Sequence, residues 1–149
     1  MAVVSGCRGR AVLAREVSLQ EAETLVRDEQ GTAVALMVYK SSCADSREQY
    51  PVFDGLSREH ADVKFLAFSI DESRADTERF FGKVRPTLDP YWIRLEESDN
   101  VAVSLQNLGL HVSGRWSTPV LALWKNGSLL TESQGRGATN NVSGMLTAQ

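Results

Sequence analysis

The chain has 149 residues, of which 42% are hydrophobic and 23% charged, and its formal net charge is −3. This length suits one globular domain with a substantial core. A net negative chain without a concentrated basic surface, and without a run of about 20 apolar residues, indicates neither nucleic acid nor a membrane as a partner.

The chain has two cysteines, Cys7 and Cys43, too few for a disulfide framework. Their spacing is not that of metal ligands, so we expect neither a metal site nor another cofactor. The first ten residues are small or basic, lack the apolar core of a secretory signal, and are predicted to form a flexible tail. We therefore expect a reducing, cytoplasmic location. The basic tail also faintly resembles a mitochondrial presequence, which is the alternative.

The first half of the chain predicts alternating strands and helices. A short strand is expected over 11–16, and Ser18 with Glu21 forms a capping-box pattern that begins a helix. The almost continuously apolar runs 32–39 and 63–70 are typical of strands buried on both faces. A helix should join them from Cys43 to about residue 60. This β-α-β-α-β order indicates a parallel sheet flanked by helices.

The second half predicts an antiparallel hairpin. Strands are expected over 120–124 and 129–132, joined by a turn at Asn126-Gly127, because this pair readily adopts positive φ. A short final helix should follow over 140–148. We therefore predict a single domain over 11–149, in which residues 72–114 form an enlarged crossover with two helical stretches, about 72–83 and 100–108.

Several aromatic residues lie in or beside this crossover. Two interpretations are open: a small core that holds the crossover onto the domain, or a docking groove for a peptide or protein, where Tyr and Trp are favoured. The residues concerned are Phe80, Phe81, Tyr91, Trp92 and Trp116.

At matching spacings, residues 11–71 and 115–148 resemble the thioredoxin family. Cys43-Ala-Asp-Ser46 stands where that family has Cys-x-x-Cys, and Pro51 where its active-site helix is kinked. Asp71 follows a strand that ends in a characteristic Asp in the family. Thr118-Pro119 resembles its cis-proline segment. The resemblance implies an α/β, thioredoxin-like fold with a central mixed sheet of four to five strands and helices on both faces.

Three departures from the family pattern bear on function. Ser46 replaces the second, resolving cysteine, Met37 stands where thioredoxins bury an Asp, and Ser42 replaces a tryptophan. Together these changes remove the residues with which the family turns over a dithiol cycle. We therefore do not expect a conventional dithiol reductase.

The position of Cys43 at a helix start still favours thiol chemistry. Unpaired N–H groups and the helix dipole there lower a thiol pKa. Lys40 is expected to add to this effect, and the charge of Asp45 to oppose it. Ser46 can donate a hydrogen bond to the thiolate, but it cannot form a disulfide with it.

The resemblance therefore suggests a site made of catalytic and substrate-binding residues. The predicted catalytic residues are Cys43, Ser46 and Pro119, and the predicted substrate-binding residues are Thr118, Trp116 and Ser42. The expected partner is a protein or peptide bound near Cys43 and Pro119, with glutathione as an alternative.

Two functional hypotheses from different classes remain open. In the first, the protein performs monothiol thiol–disulfide exchange or isomerisation through Cys43. In the second, Cys43 is a relic in a non-catalytic interaction module. A glutaredoxin-like role is less favoured, because the expected Cys-Gly-Phe-Ser sequence and a paired-glycine motif are both missing.

Overall fold

A computed structural model describes residues 12–147 of the chain; the predicted tail and Cys7 lie outside them. Six strands and five helices alternate through most of this range. In chain order they are β1 (Arg15–Ser18), α1 (Leu19–Glu29), β2 (Ala33–Tyr39), α2 (Ala44–Glu59), β3 (Lys64–Ser69), α3 (Arg74–Val84), β4 (Tyr91–Arg94), α4 (Val101–Asn107), β5 (Val120–Lys125), β6 (Ser128–Gln134) and α5 (Ala138–Thr147).

The strands form one mixed sheet in the order β1-β4-β3-β2-β5-β6. The first four strands of this order are parallel, and β5 and β6 are antiparallel to their neighbours. The predicted turn joins β5 to β6, with φ of 54° at Asn126 and 83° at Gly127. Both values lie in the left-handed region that an Asn-Gly hairpin turn requires.

Helices cover both faces of the sheet, as the sequence predicted. Alternate residues of β2 point to opposite faces: Leu36 and Val38 join one core cluster, whereas Met37 and Tyr39 join the other. The first cluster also contains residues of α1 and α4, and the second contains residues of α2, α3 and α5. Burial on both faces explains why the central strands are almost continuously apolar.

The predicted count of four to five strands was too low, because the sheet contains a sixth strand, β4. Residues Tyr91–Arg94 pair in parallel with β1 on one side and β3 on the other. A run of four residues between Pro90 and an acidic segment carries little periodicity of its own. Tyr91, Trp92 and Ile93 favour a strand, but four residues are too few to show a period, and the pairing with β1 and β3 gives β4 its place in the sheet.

The first strand begins later than the predicted 11–16, because β1 is set by its pairing with β4. Arg15 pairs with Tyr91 and Ser18 pairs with Arg94. Ser18 ends this strand and caps α1: its Oγ accepts from Glu21 N–H at 2.9 Å, and the Glu21 carboxylate accepts from Ser18 N–H at 2.9 Å. The predicted capping box is confirmed.

The aromatic residues around the crossover do not form one small core. Tyr91 belongs to the cluster on the α1 face, against which Trp116 also packs, whereas Trp92, Phe80 and Phe81 belong to the cluster on the α2 face. They separate because Tyr91 and Trp92 are neighbours on one strand, and successive strand residues point to opposite faces. Among residues 12–147, no helix is long and apolar enough to cross a membrane.

A buried carboxylate anchors the segment that precedes β4. Asp54 of α2 is 5% exposed. Its oxygens accept from the N–H groups of Thr87 and Leu88 at 3.0 Å, from the Thr87 hydroxyl at 3.0 Å and from Arg58 Nη1 at 2.7 Å. These bonds tie the α3–β4 connection to α2.

We predict that Asp54→Ala lowers the free energy of unfolding by about 1–3 kcal/mol, because the Thr87 and Leu88 N–H groups and the Thr87 hydroxyl lose a charged acceptor together. Urea denaturation measures the loss. Asp89→Ala is the matched control, since Asp89 is exposed and forms only a surface ion pair with Arg15; it should change stability by about 0.5 kcal/mol or less. Equal losses in the two variants would contradict the anchoring role.

Candidate functional site

Cys43 lies at the first turn of α2, directly after the loop that leaves β2. It is the N-cap residue, with extended backbone angles, and its thiol is only partly buried. Its N–H donates to Lys40 O at 3.0 Å, and its carbonyl accepts from Arg47 N–H at 3.0 Å. The sulfur therefore sits where the free N–H groups of a helix start are concentrated.

The thiol meets a segment that is far away in sequence. Cys43 Sγ donates to the Thr118 carbonyl oxygen at 3.4 Å. The Thr118–Pro119 peptide bond is cis, Pro119 is buried, and its carbonyl accepts from Gly135 N–H at 2.9 Å. The start of α2 and the start of β5 thus meet at the sulfur.

The pKa of Cys43 is lowered from its ordinary value. Burial raises it, but hydrogen bonds to the thiolate outweigh burial: they come from the Thr118 side chain, from the N–H and hydroxyl of Ser46, and from the N–H of Asp45. Asp45 thus contributes a lowering N–H group; the opposing effect of its side-chain charge stays a prediction. The lowered pKa therefore results from the Thr118 side chain together with donors at the start of α2.

Ser46 connects the thiol to the loop before it. Its side chain is completely buried, and its Oγ accepts from Lys40 N–H at 3.3 Å. A hydroxyl can accept one hydrogen bond and still donate its proton. Ser46 can therefore hold the loop and stabilise the Cys43 thiolate together. It occupies the predicted position but carries no second sulfur.

Asp71 fixes the loop between β2 and Cys43. The Asp71 carboxylate accepts from Ser41 N–H at 2.8 Å and from Ser41 Oγ at 2.7 Å. Its own position is set by Thr77, whose Oγ1 donates to it at 2.7 Å, and by Trp92 Nε1, which donates to the Asp71 carbonyl at 2.9 Å. A residue two positions before the thiol is thereby tied to the end of β3.

Sequence reasoning noted Asp71 but gave it no role in the site. The sequence carries part of the signal, because a polar residue follows each of the two predicted parallel strands. The structure supplies the rest: Tyr39 and Ser69 are register partners in the pair β2–β3, so Ser41 and Asp71 lie two residues beyond them at the same edge.

Two cavities flank the loop before Cys43, and Lys40 and Asp71 line both. One, of about 550 Å³, is lined by this loop and α3 and includes Ser42. The other, of about 640 Å³, is lined by β4 and the start of α4 and includes Trp116. The structure brings Cys43, Ser46 and Thr118 together and places Pro119 beside them. It divides Ser42 and Trp116 between the two cavities.

The environment behind the site is apolar. Met37 is completely buried and pairs in the sheet with Ala67 and Leu121. The β2 position where thioredoxins bury an Asp therefore offers no carboxylate for proton transfer.

Comparison with known proteins identifies the fold. The solved structures that resemble it include a secreted Mycobacterium tuberculosis disulfide oxidoreductase homologous to E. coli DsbE, with 12% identity over 83% of this chain and 86% of that one and a TM-score of 0.61. A thioredoxin family thiol:disulfide interchange protein of Chlorobium tepidum has 10% identity, 82% coverage of both chains and a TM-score of 0.63. The exposed lipoprotein thioredoxin Etrx1 of Streptococcus pneumoniae has 17% identity over 83% of this chain and 90% of that one, with a TM-score of 0.54.

These similarities establish a thioredoxin-like fold, as the sequence resemblance predicted. No protein-family profile matches the chain, and no curated protein is significantly similar to it in sequence. The function is therefore argued from the residues of the site.

We predict that Asp71→Ala lowers the free energy of unfolding by about 2–4 kcal/mol and removes hydrogen-exchange protection from the Ser41 amide, because its acceptor is lost. Asp71→Asn keeps one carbonyl oxygen and should lose less. Urea denaturation and amide exchange measure the two effects.

Asp62→Ala, at an exposed carboxylate, is the control and should leave the Ser41 amide protected. Full protection of that amide in Asp71→Ala would contradict the role given to Asp71.

Proposed function

We propose that this protein takes part in thiol–disulfide exchange as a monothiol protein acting through Cys43. The observation that carries the proposal is the geometry of the Cys43 sulfur. It lies at a helix start, 3.4 Å from the Thr118 carbonyl, within reach of hydroxyl and N–H donors that stabilise its thiolate. The thioredoxin-like fold, shared with thiol:disulfide oxidoreductases, gives general support.

In the first step, the Cys43 thiolate attacks one sulfur of a substrate disulfide. A bond forms between Cys43 and that sulfur, the substrate S–S bond breaks, and the other sulfur leaves as a thiolate. The donors that stabilise the Cys43 thiolate are the N–H groups of Asp45 and Ser46 and the Ser46 and Thr118 hydroxyls. The Thr118 carbonyl beside the sulfur is a backbone acceptor that an extended peptide can contact.

The second step requires a thiol from outside the site. Ser46 occupies the position from which a second cysteine would attack, but its hydroxyl is not a nucleophile for a disulfide. An external thiolate attacks the mixed disulfide, forms a new disulfide with the substrate sulfur, and releases Cys43 as thiolate. The cycle moves disulfides between partners without changing the oxidation state of the protein.

We predict that Cys43 alkylation has a pH midpoint below that of a free thiol, about 8.5. The hydrogen bonds stabilise the thiolate, so more thiolate is present at neutral pH than in an unfolded chain. The measurement is the alkylation rate against pH in a Cys7→Ser background. Ser46→Ala removes one donor and should move the midpoint upward.

A hydroxyl far from the thiol supplies the control: Ser57→Ala changes a serine at the opposite end of α2 and should leave the midpoint in place. A midpoint at or above the free value, or no reaction in the folded protein, would refute the proposal.

We also predict that Ser46→Cys creates an oxidisable pair. Residues 43 and 46 lie one turn apart at the start of α2, and the Ser46 hydroxyl already reaches the Cys43 sulfur. Mild oxidation should remove both free thiols, as counted by a thiol reagent in a Cys7→Ser background. The reduced form of the same variant should reduce disulfides, because its two thiols supply the two electrons and become a disulfide. Ser57→Cys is the matched control and should keep both thiols. Two free thiols in oxidised Ser46→Cys would contradict this geometry.

A second candidate is a non-catalytic interaction module, favoured by the apolar Met37 and by the missing second thiol. A module of this kind would bind its partner equally well with Cys43→Ser. A catalytic protein would lose the covalent intermediate in that variant. Trapping of mixed disulfides with the unmodified chain and with Cys43→Ser therefore separates the two candidates.

A further inference from the structure

We infer that the cavity lined by the loop that precedes Cys43 selects disulfides and thiols that carry carboxylates. This inference rests on the proposed exchange function and names the chemical class of its reactants. The cavity has a volume of about 550 Å³ and lies between the loop that ends at Cys43 and helix α3. This size is within the range of small-molecule sites.

Four cationic side chains line this cavity, in a protein whose net charge is −3. Lys40 lies three residues before Cys43, and Arg47 lies one helical turn after it. Arg47 also donates from Nη1 to the Ser41 carbonyl at 3.0 Å, which holds its guanidinium over the same loop. These two cations precede and follow Cys43 in the sequence, and both line the same cavity.

The other two cations belong to α3. Arg79 forms a hydrogen-bonded ion pair with Asp76 at 2.9 Å, whereas Lys83 is exposed in the last turn. Within residues 12–147, neither the Lys40 nor the Lys83 ammonium group forms an ion pair with a described carboxylate. These two ammonium groups are the positive charges available to a ligand.

Three carboxylates also line the cavity, and two of them already face protein donors. Asp71 binds Ser41 and Thr77 through its two oxygens, and Asp76 binds Arg79. Glu72 is exposed and opposes an anionic ligand. The arrangement still favours anions. With the Arg79–Asp76 pair set aside, Lys40, Arg47 and Lys83 face Asp71 and Glu72, which leaves one net positive charge on the lining.

We assign these cations to attracting the reactant rather than to activating the thiol. The lowered pKa of the Cys43 thiol is already accounted for by hydrogen-bond donors. Ser42, the residue before Cys43, lines the same cavity. A carboxylate held by Lys40 and Lys83 would therefore raise the concentration of an attached disulfide near the start of α2. The exchange itself is unchanged: the Cys43 thiolate bonds to one sulfur, and the other sulfur leaves as thiolate.

The test compares two disulfides in a Cys7→Ser background: DTNB, which carries two carboxylates, and dithiodipyridine, which carries none. Each rate is divided by the rate of that reagent with a neutral reference thiol. The ratio of the two normalised rates reports charge selectivity, and any change in the thiolate fraction cancels from it. Lys40→Gln/Lys83→Gln is the test variant. The control variant is Lys64→Gln/Lys125→Gln. It also removes two positive charges, but at the opposite end of the central strands, where β3 begins and β5 ends.

We expect the test variant to lower the ratio about three- to ten-fold at low ionic strength, and the control variant to lower it by less than about two-fold. The loss should shrink as salt is added, because the effect is electrostatic. A ratio unchanged in the test variant, or lowered equally in both variants, would overturn the inference. Failure of Cys43 to react even with dithiodipyridine would instead overturn the proposed function.

A third comparison separates the possible sources of the carboxylate. Oxidised glutathione supplies it on a small molecule, and a peptide disulfide flanked by acidic residues supplies it on a chain. The disulfide whose reaction slows in the test variant, relative to the parent protein, is the one that the cavity accepts. If neither disulfide reacts more slowly in the test variant, the result would count against the site.

Discussion

The site depends on one buried carboxylate at the end of β3. Asp71 is 6% exposed and accepts from both the N–H and the hydroxyl of Ser41, two residues before Cys43. The parallel register of β2 and β3 brings the two residues to the same edge of the sheet, so the pairing of the strands determines where the loop ends. A buried carboxylate is costly unless its oxygens are bonded, and Ser41 and Thr77 supply those bonds. The contacts that offset the cost of burying the Asp71 carboxylate therefore also hold the loop.

This constraint explains how a thiol can be activated without a neighbouring base. The loop leads directly into α2, so fixing Ser41 also fixes the direction in which the first N–H groups of the helix point. Those N–H groups, with the hydroxyls of Ser46 and Thr118, stabilise the Cys43 thiolate against the effect of burial. Met37 contributes only packing. The geometry thus supports the formation of a nucleophile, and residues 12–147 contain no second thiol that could resolve its product.

Much of the fold could be predicted because its signals are local. The apolar runs of β2 and β3, the capping box at Ser18 and the Asn-Gly turn each act within a few residues. By contrast, β4 depends on β1 and β3, which lie far away in sequence, and its four residues carry no distinctive period. The contact between Cys43 and Thr118 could be expected only through the family resemblance. The bonds from Ser41 to Asp71 depend on strand register, which the chain does not display until it is folded.

The hydrogen bonds to Cys43 and the positive charges near it have different effects. A lower pKa increases the thiolate fraction at neutral pH and also makes the thiolate a weaker nucleophile, because nucleophilicity falls with basicity. Hydrogen bonds lower the pKa of Cys43, whereas Lys40 and Lys83 line the cavity next to the loop that precedes it. On the proposed function, these charges act on the reactant through its carboxylates. A monothiol protein needs such selectivity more than a dithiol protein does, because both the substrate disulfide and the thiol that releases it must come to the same sulfur from solution.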